Sequence, residues 1–129
     1  MEIRNSREDY LEAILVMAQK APQVRSVDVA EHLGYSKASV SRAMAQLVEA
    51  GLVHMDRSKL LTLTEQGLQE ACRVYEKHRF FEEMLLSAGV EEHAAAEEAC
   101  RIEHAISDEA FRAIKATYGE DGLPKSDTP

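Results

Sequence analysis

Three side chains in one short segment have the types and the spacing of a metal site. Cys100, Glu103 and His104 are three and four residues apart, and positions at this spacing lie on one face of a helix. A thiolate, a carboxylate and an imidazole together are suitable ligands for a divalent transition metal. The other interpretation is that Cys100 is a small buried apolar side chain and that Glu103 and His104 are solvated. Spacing alone leaves both interpretations open.

Further donors lie on two other predicted helices. Asp9 and Glu12 are three residues apart near the start of the first helix, so their carboxylates can converge, and His78 offers an imidazole in a long helix. Taken singly, each of these residues is typical of a protein surface. If they closed the site, metal would control where the N-terminal helix lies.

Composition indicates a helical protein without a membrane segment. The 129 residues are 45% hydrophobic but only 5% aromatic, with no Trp, which favours aliphatic packing between helices over a β-sandwich or barrel. The N-terminus lacks the pattern of a signal peptide, and the longest apolar run covers only residues 13–18. We therefore expect a cytoplasmic chain, reduced cysteines and no membrane partner.

Charge is unevenly distributed along the chain. Residues 1–60 carry eight basic and eight acidic side chains, whereas residues 61–129 carry seven and fifteen. A neutral N-terminal lobe can still present a basic face to DNA phosphates, and an acidic C-terminal lobe suits cations.

The N-terminal half predicts a helix-turn-helix. Apolar periodicity indicates a helix over residues 6–20, a second over 27–33 with Ser26 as its cap, and a third from Ser36 to Gly51. Gly34 makes the tight turn between the second and third. The expected buried stripe of the third helix is Val40, Met44, Leu47 and Val48.

A β-hairpin with a basic tip is predicted directly after these helices. The runs 52–55 and 60–63 flank four polar residues that include Arg57 and Lys59. Such a hairpin completes a winged helix, whose recognition helix enters the major groove while the wing approaches the backbone. The alternative, a packed three-helix lobe with a solvated polar face, does not explain the basic wing. The candidate DNA-binding residues are Ser36, Lys37, Ala38, Ser39, Ser41, Arg42, Arg57 and Lys59.

The C-terminal half predicts three more helices. They cover about residues 64–86, 91–105 and 107–116, with Thr64 and Ser107 as caps and Cys72 in the core of the first. The expected fold class is mainly α with a small β-hairpin. We expect a winged helix-turn-helix DNA-binding domain over residues 1–63, a helical dimerisation and metal-binding domain over 64–118, and a flexible tail over 119–129.

From about Glu8 to Ile114 the chain resembles the diphtheria toxin repressor and manganese transport regulator family of metal-dependent transcriptional repressors. The motifs that carry the resemblance keep the order and spacing of the family: EDYLEAI at 8–14, VAEHL at 29–33, SVS at 39–41, LT at 63–64, KHR at 77–79, EACRIEH at 98–104 and SDE at 107–109. The resemblance implies a short form of the family, which we expect to have no C-terminal β-barrel domain.

The resemblance assigns metal ligands residue by residue. His78, Glu103 and His104 fall on ligand positions shared by both branches of the family. Asp9 and Glu12 match the manganese branch, whereas Cys100 matches the iron branch, where the manganese branch has a carboxylate. The implied site is a hybrid of the two.

The resemblance also implies a function. It implies a homodimer that binds an inverted-repeat DNA operator of metal-homeostasis genes when Fe²⁺ or Mn²⁺ acts as corepressor, with Co²⁺, Ni²⁺ or Zn²⁺ able to substitute in vitro. No organic cofactor is expected. The alternative is a metal-independent winged-helix regulator that senses a small molecule or redox state. A di-iron enzyme would need Glu-x-x-His pairs, which the sequence lacks, so no catalytic residue is expected.

Overall fold

The computed structural model describes residues 3–119, which form six helices and one two-stranded antiparallel hairpin. The elements in chain order are α1 (Ile3–Lys20), α2 (Ser26–Leu33), α3 (Lys37–Glu49), β1 (Val53–Met55), β2 (Leu61–Leu63), α4 (Glu65–Ser87), α5 (Glu92–Ala105) and α6 (Asp108–Tyr118). The predicted fold class, mainly α with a small hairpin, is confirmed.

The chain divides into two compact units, Met1–Arg73 and Val74–Pro129. The boundary falls within α4, ten residues beyond the predicted division at residue 63, and the functional division stays a prediction. The tail predicted over residues 119–129 lies outside the described residues from residue 120 onward. Within the described range, no helix is long and apolar enough to cross a membrane.

Serine side chains begin α3 and α6 at the positions where the sequence predicts caps. The Ser36 hydroxyl accepts a hydrogen bond from the Ser39 amide at 3.1 Å, and the Ser107 hydroxyl accepts one from the Ala110 amide at 3.0 Å. Each satisfies an amide that has no partner inside its own helix. At α5 the carboxylate of Glu91 accepts from two amides, which lowers the pKa of Glu91.

The expected cap of α2 is wrong by one residue. Arg25, not Ser26, is the N-cap, and its backbone amide donates to Asp28 Oδ2 at 2.9 Å. Because Asp28 secures the helix start from the third helical position, the Ser26 hydroxyl is not needed for capping. Gly34 ends the helix in a left-handed conformation, as its place in the predicted turn requires.

The N-terminal unit buries one apolar face from each of its first three helices. α2 packs on α1 and α3, and the hairpin contacts α1 and α3. Fully buried side chains include Leu11, Ile14, Val29, Val40 and Met44.

Two expectations for this core are wrong. Val48 is 40% exposed, because it lies about 80° around the helix from Val40 and so leaves the stripe. Cys72 is exposed, not part of the core.

The C-terminal unit is organised by three phenylalanines. Phe80 and Phe81 on α4 pack with Phe111 on α6 and Ala99 on α5, and the Phe80 and Phe111 rings meet edge to face with centroids 5.3 Å apart. The small side chain of Ala99 lets α5 approach the rings. This cluster fixes α4, α5 and α6 around one core.

In the N-terminal unit, a close backbone approach joins α4 to Leu52, the residue that precedes β1. A Cβ atom built on Gly67 would lie 1.9 Å from the Leu52 carbonyl oxygen. Beside it, the Thr64 hydroxyl donates to the Gly51 carbonyl at 2.6 Å and accepts from the Gly67 amide at 3.0 Å. Only glycine fits at this crossing.

We therefore expect Gly67→Ala to lower the free energy of unfolding by about 1–3 kcal/mol, as overpacking does, although alanine is the better helix former by about 1 kcal/mol. Urea denaturation followed by circular dichroism measures the change. Gln66→Ala, at an exposed neighbouring position of the same helix, is the control and should be close to neutral. An unchanged denaturation midpoint in Gly67→Ala would contradict the close approach.

Candidate metal centre and candidate nucleic-acid interface

The C-terminal unit brings together four of the six predicted metal ligands. His78 lies on α4, and Cys100, Glu103 and His104 lie on α5. The helical spacing that predicts one face for the α5 residues holds, and the Phe80 cluster sets α5 beside the helix that carries His78. Two neighbouring helices thus supply one imidazole and three further donors.

Glu103 occupies the centre of this cluster. Its side chain is fully buried, its Oε1 lies 2.6 Å from His78 Nδ1, and its Oε2 lies 3.5 Å from His104 Nε2. The other ring nitrogen of His78, Nε2, lies 3.6 Å from Glu82 Oε1. The contact with His78 gives the buried carboxylate a polar partner and helps to fix the orientation of that ring.

Cys100 completes the cluster on α5. Its Sγ lies 4.0 Å from His104 Nε2, and one ligand atom from each of Cys100, Glu103 and His104 lies within 4.8 Å of the others. The side chains of Glu103 and His104 are 0% and 8% exposed, so the interpretation that they are solvated is wrong. Nitrogen, oxygen and sulfur donors suit a divalent first-row metal ion. At these separations, a small contraction of the cluster would bring all three donor atoms within bonding distance of one such ion.

The two remaining predicted ligands lie in the N-terminal unit. Asp9 and Glu12 occupy α1 three residues apart, and both are partly buried. Burial, and then the negative charge of Asp9, raises the pKa of the neighbouring Tyr10. The role of Asp9 and Glu12 as metal ligands stays a prediction.

The polar face of α3 carries most of the predicted DNA-binding residues. Lys37, Ala38, Ser41 and Arg42 are exposed and lie outside the buried stripe that starts at Val40. The two other serines are occupied in the cap: the Ser36 hydroxyl donates to Ser39 Oγ at 2.9 Å. These two side chains are therefore better placed to fix the start of the helix than to select bases.

The same face continues beyond Arg42 to two residues that the sequence interpretation missed. Ala45 and Gln46, three and four positions after Arg42, are both exposed. The helical period that identified Arg42 would have found them. A glutamine can read adenine through two hydrogen bonds, and an alanine methyl can contact thymine.

The hairpin tip is locked by one aspartate. Asp56 Oδ1 accepts from the amides of Ser58 at 2.8 Å and Leu60 at 2.9 Å, and the Lys59 amide donates to the Asp56 carbonyl at 3.0 Å. Lys59 adopts a left-handed conformation with φ of 68°, the one positive φ outside glycine in the described chain. Arg57 and Lys59 are both exposed at this ordered tip.

The chain matches two domain models of one protein family along almost its whole length. Residues 2–61 match the iron dependent repressor N-terminal DNA binding domain, and residues 64–121 match the iron dependent repressor metal binding and dimerisation domain. The chain belongs to the iron-dependent repressor family. The resemblance found in the sequence motifs is thereby confirmed.

Individual relatives agree with this family. An uncharacterised HTH-type transcriptional regulator of Methanocaldococcus jannaschii is 34% identical over 112 residues, which are 85% of this chain and 90% of that protein. The diphtheria toxin repressor of Corynebacterium glutamicum is 30% identical and aligns with 99% of this chain and 63% of its own length. A solved manganese-dependent transcriptional repressor in complex with manganese is 32% identical, with a TM-score of 0.76 over 94% of this chain and 55% of its own. The chain thus spans little more than half of these two repressors.

Membership in the family confirms the predicted class of function, a metal-dependent DNA-binding repressor, and the predicted divalent cofactor, iron or manganese. The helices that carry His78, Cys100, Glu103 and His104 lie inside the segment matched to the metal binding and dimerisation domain. The helix-turn-helix and most of the hairpin lie inside the segment matched to the DNA binding domain.

If Cys100 binds metal, Co²⁺ should reveal it. We expect Co²⁺ titration to produce the charge-transfer absorption of a cobalt thiolate, retained in Cys72→Ser and lost in Cys100→Ser. Cys72 is the matched control because it is the other cysteine and is exposed. The same absorption in Cys100→Ser as in the parent would remove Cys100 from the ligand set.

Proposed function

We propose that this protein is a homodimeric repressor that binds an inverted-repeat operator of metal-homeostasis genes when its C-terminal unit holds Fe²⁺ or Mn²⁺. The observation that carries the proposal is the buried carboxylate of Glu103 between His78 and His104. We assign DNA binding to residues 1–63 and dimerisation and metal binding to residues 64–118. We also assign the protein to the cytoplasm and give it no catalytic role.

Asp9 and Glu12 are proposed to complete the ligand set with His78, Cys100, Glu103 and His104. Support comes from their oxygen-donor chemistry, their shared face on α1 and the sequence resemblance to the manganese branch. Oxygen donors suit Mn²⁺, whereas the Cys100 thiolate favours later and softer metals. Affinity should therefore rise from Mn²⁺ through Fe²⁺ to Co²⁺ and Ni²⁺, and availability in the cell selects the effector.

Bound metal would supply a shared positive charge that joins ligands on α1, α4 and α5. If metal holds α1 in place, the N-terminal unit has already lost conformational freedom before it meets DNA. That entropy is then not lost again when DNA binds. In a dimer whose recognition helices must lie about 34–36 Å apart to enter successive major grooves, this restriction favours the DNA-bound form. By linkage, operator DNA must increase metal affinity by the same factor.

The first test of this function is the metal dependence of operator binding. Duplexes selected from a randomised library with Mn²⁺ present should contain an inverted repeat. Each selected duplex should bind one protein dimer, and a chelator should release the duplex from the protein.

His104→Gln should remove the metal response, whereas His93→Gln should keep it. His93 is the matched control because it lies on the same helix with its side chain 81% exposed. Fluorescence anisotropy measures both variants. Equal operator affinity in chelator and in excess Mn²⁺ would contradict the proposal and indicate a metal-independent regulator.

For DNA recognition, we propose that Arg42 reads a base and that Arg57 and Lys59 contact phosphate. Arg42 is exposed on α3 and can bind guanine through two hydrogen bonds. Lys59 occupies a left-handed backbone conformation in which glycine or asparagine is more stable. A lysine that carries this local cost is consistent with a function for its ammonium group at the wing tip.

Arg42→Ala should weaken binding by about 1–3 kcal/mol and relax the base preference at one position in each half-site. Lys59→Gly should leave the free energy of unfolding equal or higher, because it relieves the left-handed strain, yet weaken binding to all sequences and reduce its salt dependence. Anisotropy over a series of salt concentrations and single-base operator variants separates the two effects. An unaltered base preference in Arg42→Ala would assign the reading to another residue.

A further inference from the structure

Besides Glu103, one other charged side chain is buried in the part of the chain that the structure describes: Lys77, which is 5% exposed. Lys77 precedes the candidate ligand His78 on α4. Burying a charge costs several kcal/mol unless it is paired and hydrogen-bonded, and an apolar residue of similar size is often as stable. A buried lysine at this position therefore calls for a structural reason.

The partners of Lys77 lie at the junction of α5 and α6. Its Nζ donates to the carbonyl oxygen of Ile106 at 3.1 Å and lies 2.8 Å from Asp108 Oδ1. Ile106 is the C-cap of α5, and Asp108 is the first residue of α6. The ammonium group thus meets the negative end of one helix dipole and a carboxylate in the first turn of the next.

The last turn of α5 is the turn that carries two candidate ligands. Glu103 and His104 lie three and two residues before Ile106. The final carbonyl groups of a helix have no partner inside the helix, and helix ends fray. The Lys77 ammonium supplies a partner at this end and ties it to α4, the helix that carries His78.

We propose that Lys77 is a positioning residue for the metal centre, one that holds the last turn of α5 at the distance from α4 at which His78 and Glu103 meet. Its role is distinct from ligation, because its ammonium group donates to Ile106 and Asp108. The inference rests on the proposed metal-binding function of this cluster.

Lys77→Met is the primary variant. Methionine keeps an unbranched apolar side chain, one atom shorter than lysine, and removes the charge, and the phenylalanine cluster on which Ile102 and Ile106 pack is not altered by the substitution. The matched control is Lys115→Met, which removes an ion pair between α6 and Glu76 on α4 without touching the end of α5. Both variants lose one positive charge and one ion pair between α4 and α6, and Lys77→Met also loses the hydrogen bond to Ile106 at the end of α5.

The first measurement uses the metal-free protein. By amide hydrogen exchange, Lys77→Met should accelerate exchange at Ile106 by about tenfold, the equilibrium effect of losing one charge-assisted hydrogen bond. The Ala95 amide, which donates to Glu91 at the other end of α5, should keep its rate. Lys115→Met should leave both rates unchanged.

The second measurement is Mn²⁺ affinity by calorimetry. Lys77→Met should bind Mn²⁺ about 10- to 100-fold more weakly, the usual effect of removing support outside the ligand shell, and Lys115→Met should match the parent. Lys77→Arg, which keeps the charge and the donors, should recover most of the loss. A purely structural role would lower the melting temperature of Lys77→Met without changing its Mn²⁺ affinity, and that result would overturn the proposal.

Asp108→Asn keeps the proposal testable if Lys77→Met does not fold. It weakens one contact of Lys77 from a half-exposed position and leaves the core intact. We expect a loss of Mn²⁺ affinity of about threefold, whereas unchanged affinity would overturn the proposal. If the parent itself binds no Mn²⁺, the proposed function fails, and this inference fails with it. If the parent binds Mn²⁺ and both Lys77→Met and Asp108→Asn keep its affinity, the positioning role is overturned and the proposed function stands.

Discussion

The burial of the Glu103 carboxylate between two imidazoles is the constraint on which the C-terminal unit depends. A buried carboxylate is tolerable only with partners close by, and its contact with His78 at 2.6 Å requires α4 and α5 to keep one fixed separation. Phe80, Phe81 and Phe111 supply that separation by packing three helices around one aromatic core. Packing and polar contacts therefore specify the same arrangement, which is the consistency expected of a site that is formed before its ligand arrives.

Both candidate functional surfaces lie at helix ends. The candidate recognition face of α3 begins at the cap formed by Ser36 and Ser39, and two candidate metal ligands, Glu103 and His104, occupy the last turn of α5. Helix ends expose backbone groups and dipole charge, which makes them chemically useful and locally unstable. Each of these ends is accordingly secured by a side chain, the hydroxyl of Ser36 in one case and the ammonium group of Lys77 in the other.

Sequence periodicity predicts what is local and misses what depends on tertiary packing. The shared face of Cys100, Glu103 and His104 follows from the helical period alone, and the caps at Ser36 and Ser107 follow from local chemistry. The meeting of His78 with Glu103 does not, because 25 residues separate them along the chain and tertiary packing sets their distance. Cys72 shows the opposite failure: its residue type favours burial, but its helical position faces solvent.

The residues that depart from the usual backbone or burial preference of their type lie at the candidate functional sites. Lys59 takes a left-handed conformation at the wing, Glu103 buries charge within the candidate metal centre, and Lys77 buries charge next to it. The left-handed lysine alone costs about 1–2 kcal/mol, against a total stability of roughly 5–15 kcal/mol for a typical domain. Gly34 and Gly67, by contrast, lie at positions where the backbone requires glycine. At these purely structural positions the residue type agrees with the local backbone conformation. Stability does not explain a lysine at the left-handed position of the wing, whereas the proposed contact of its ammonium group with the phosphate backbone would.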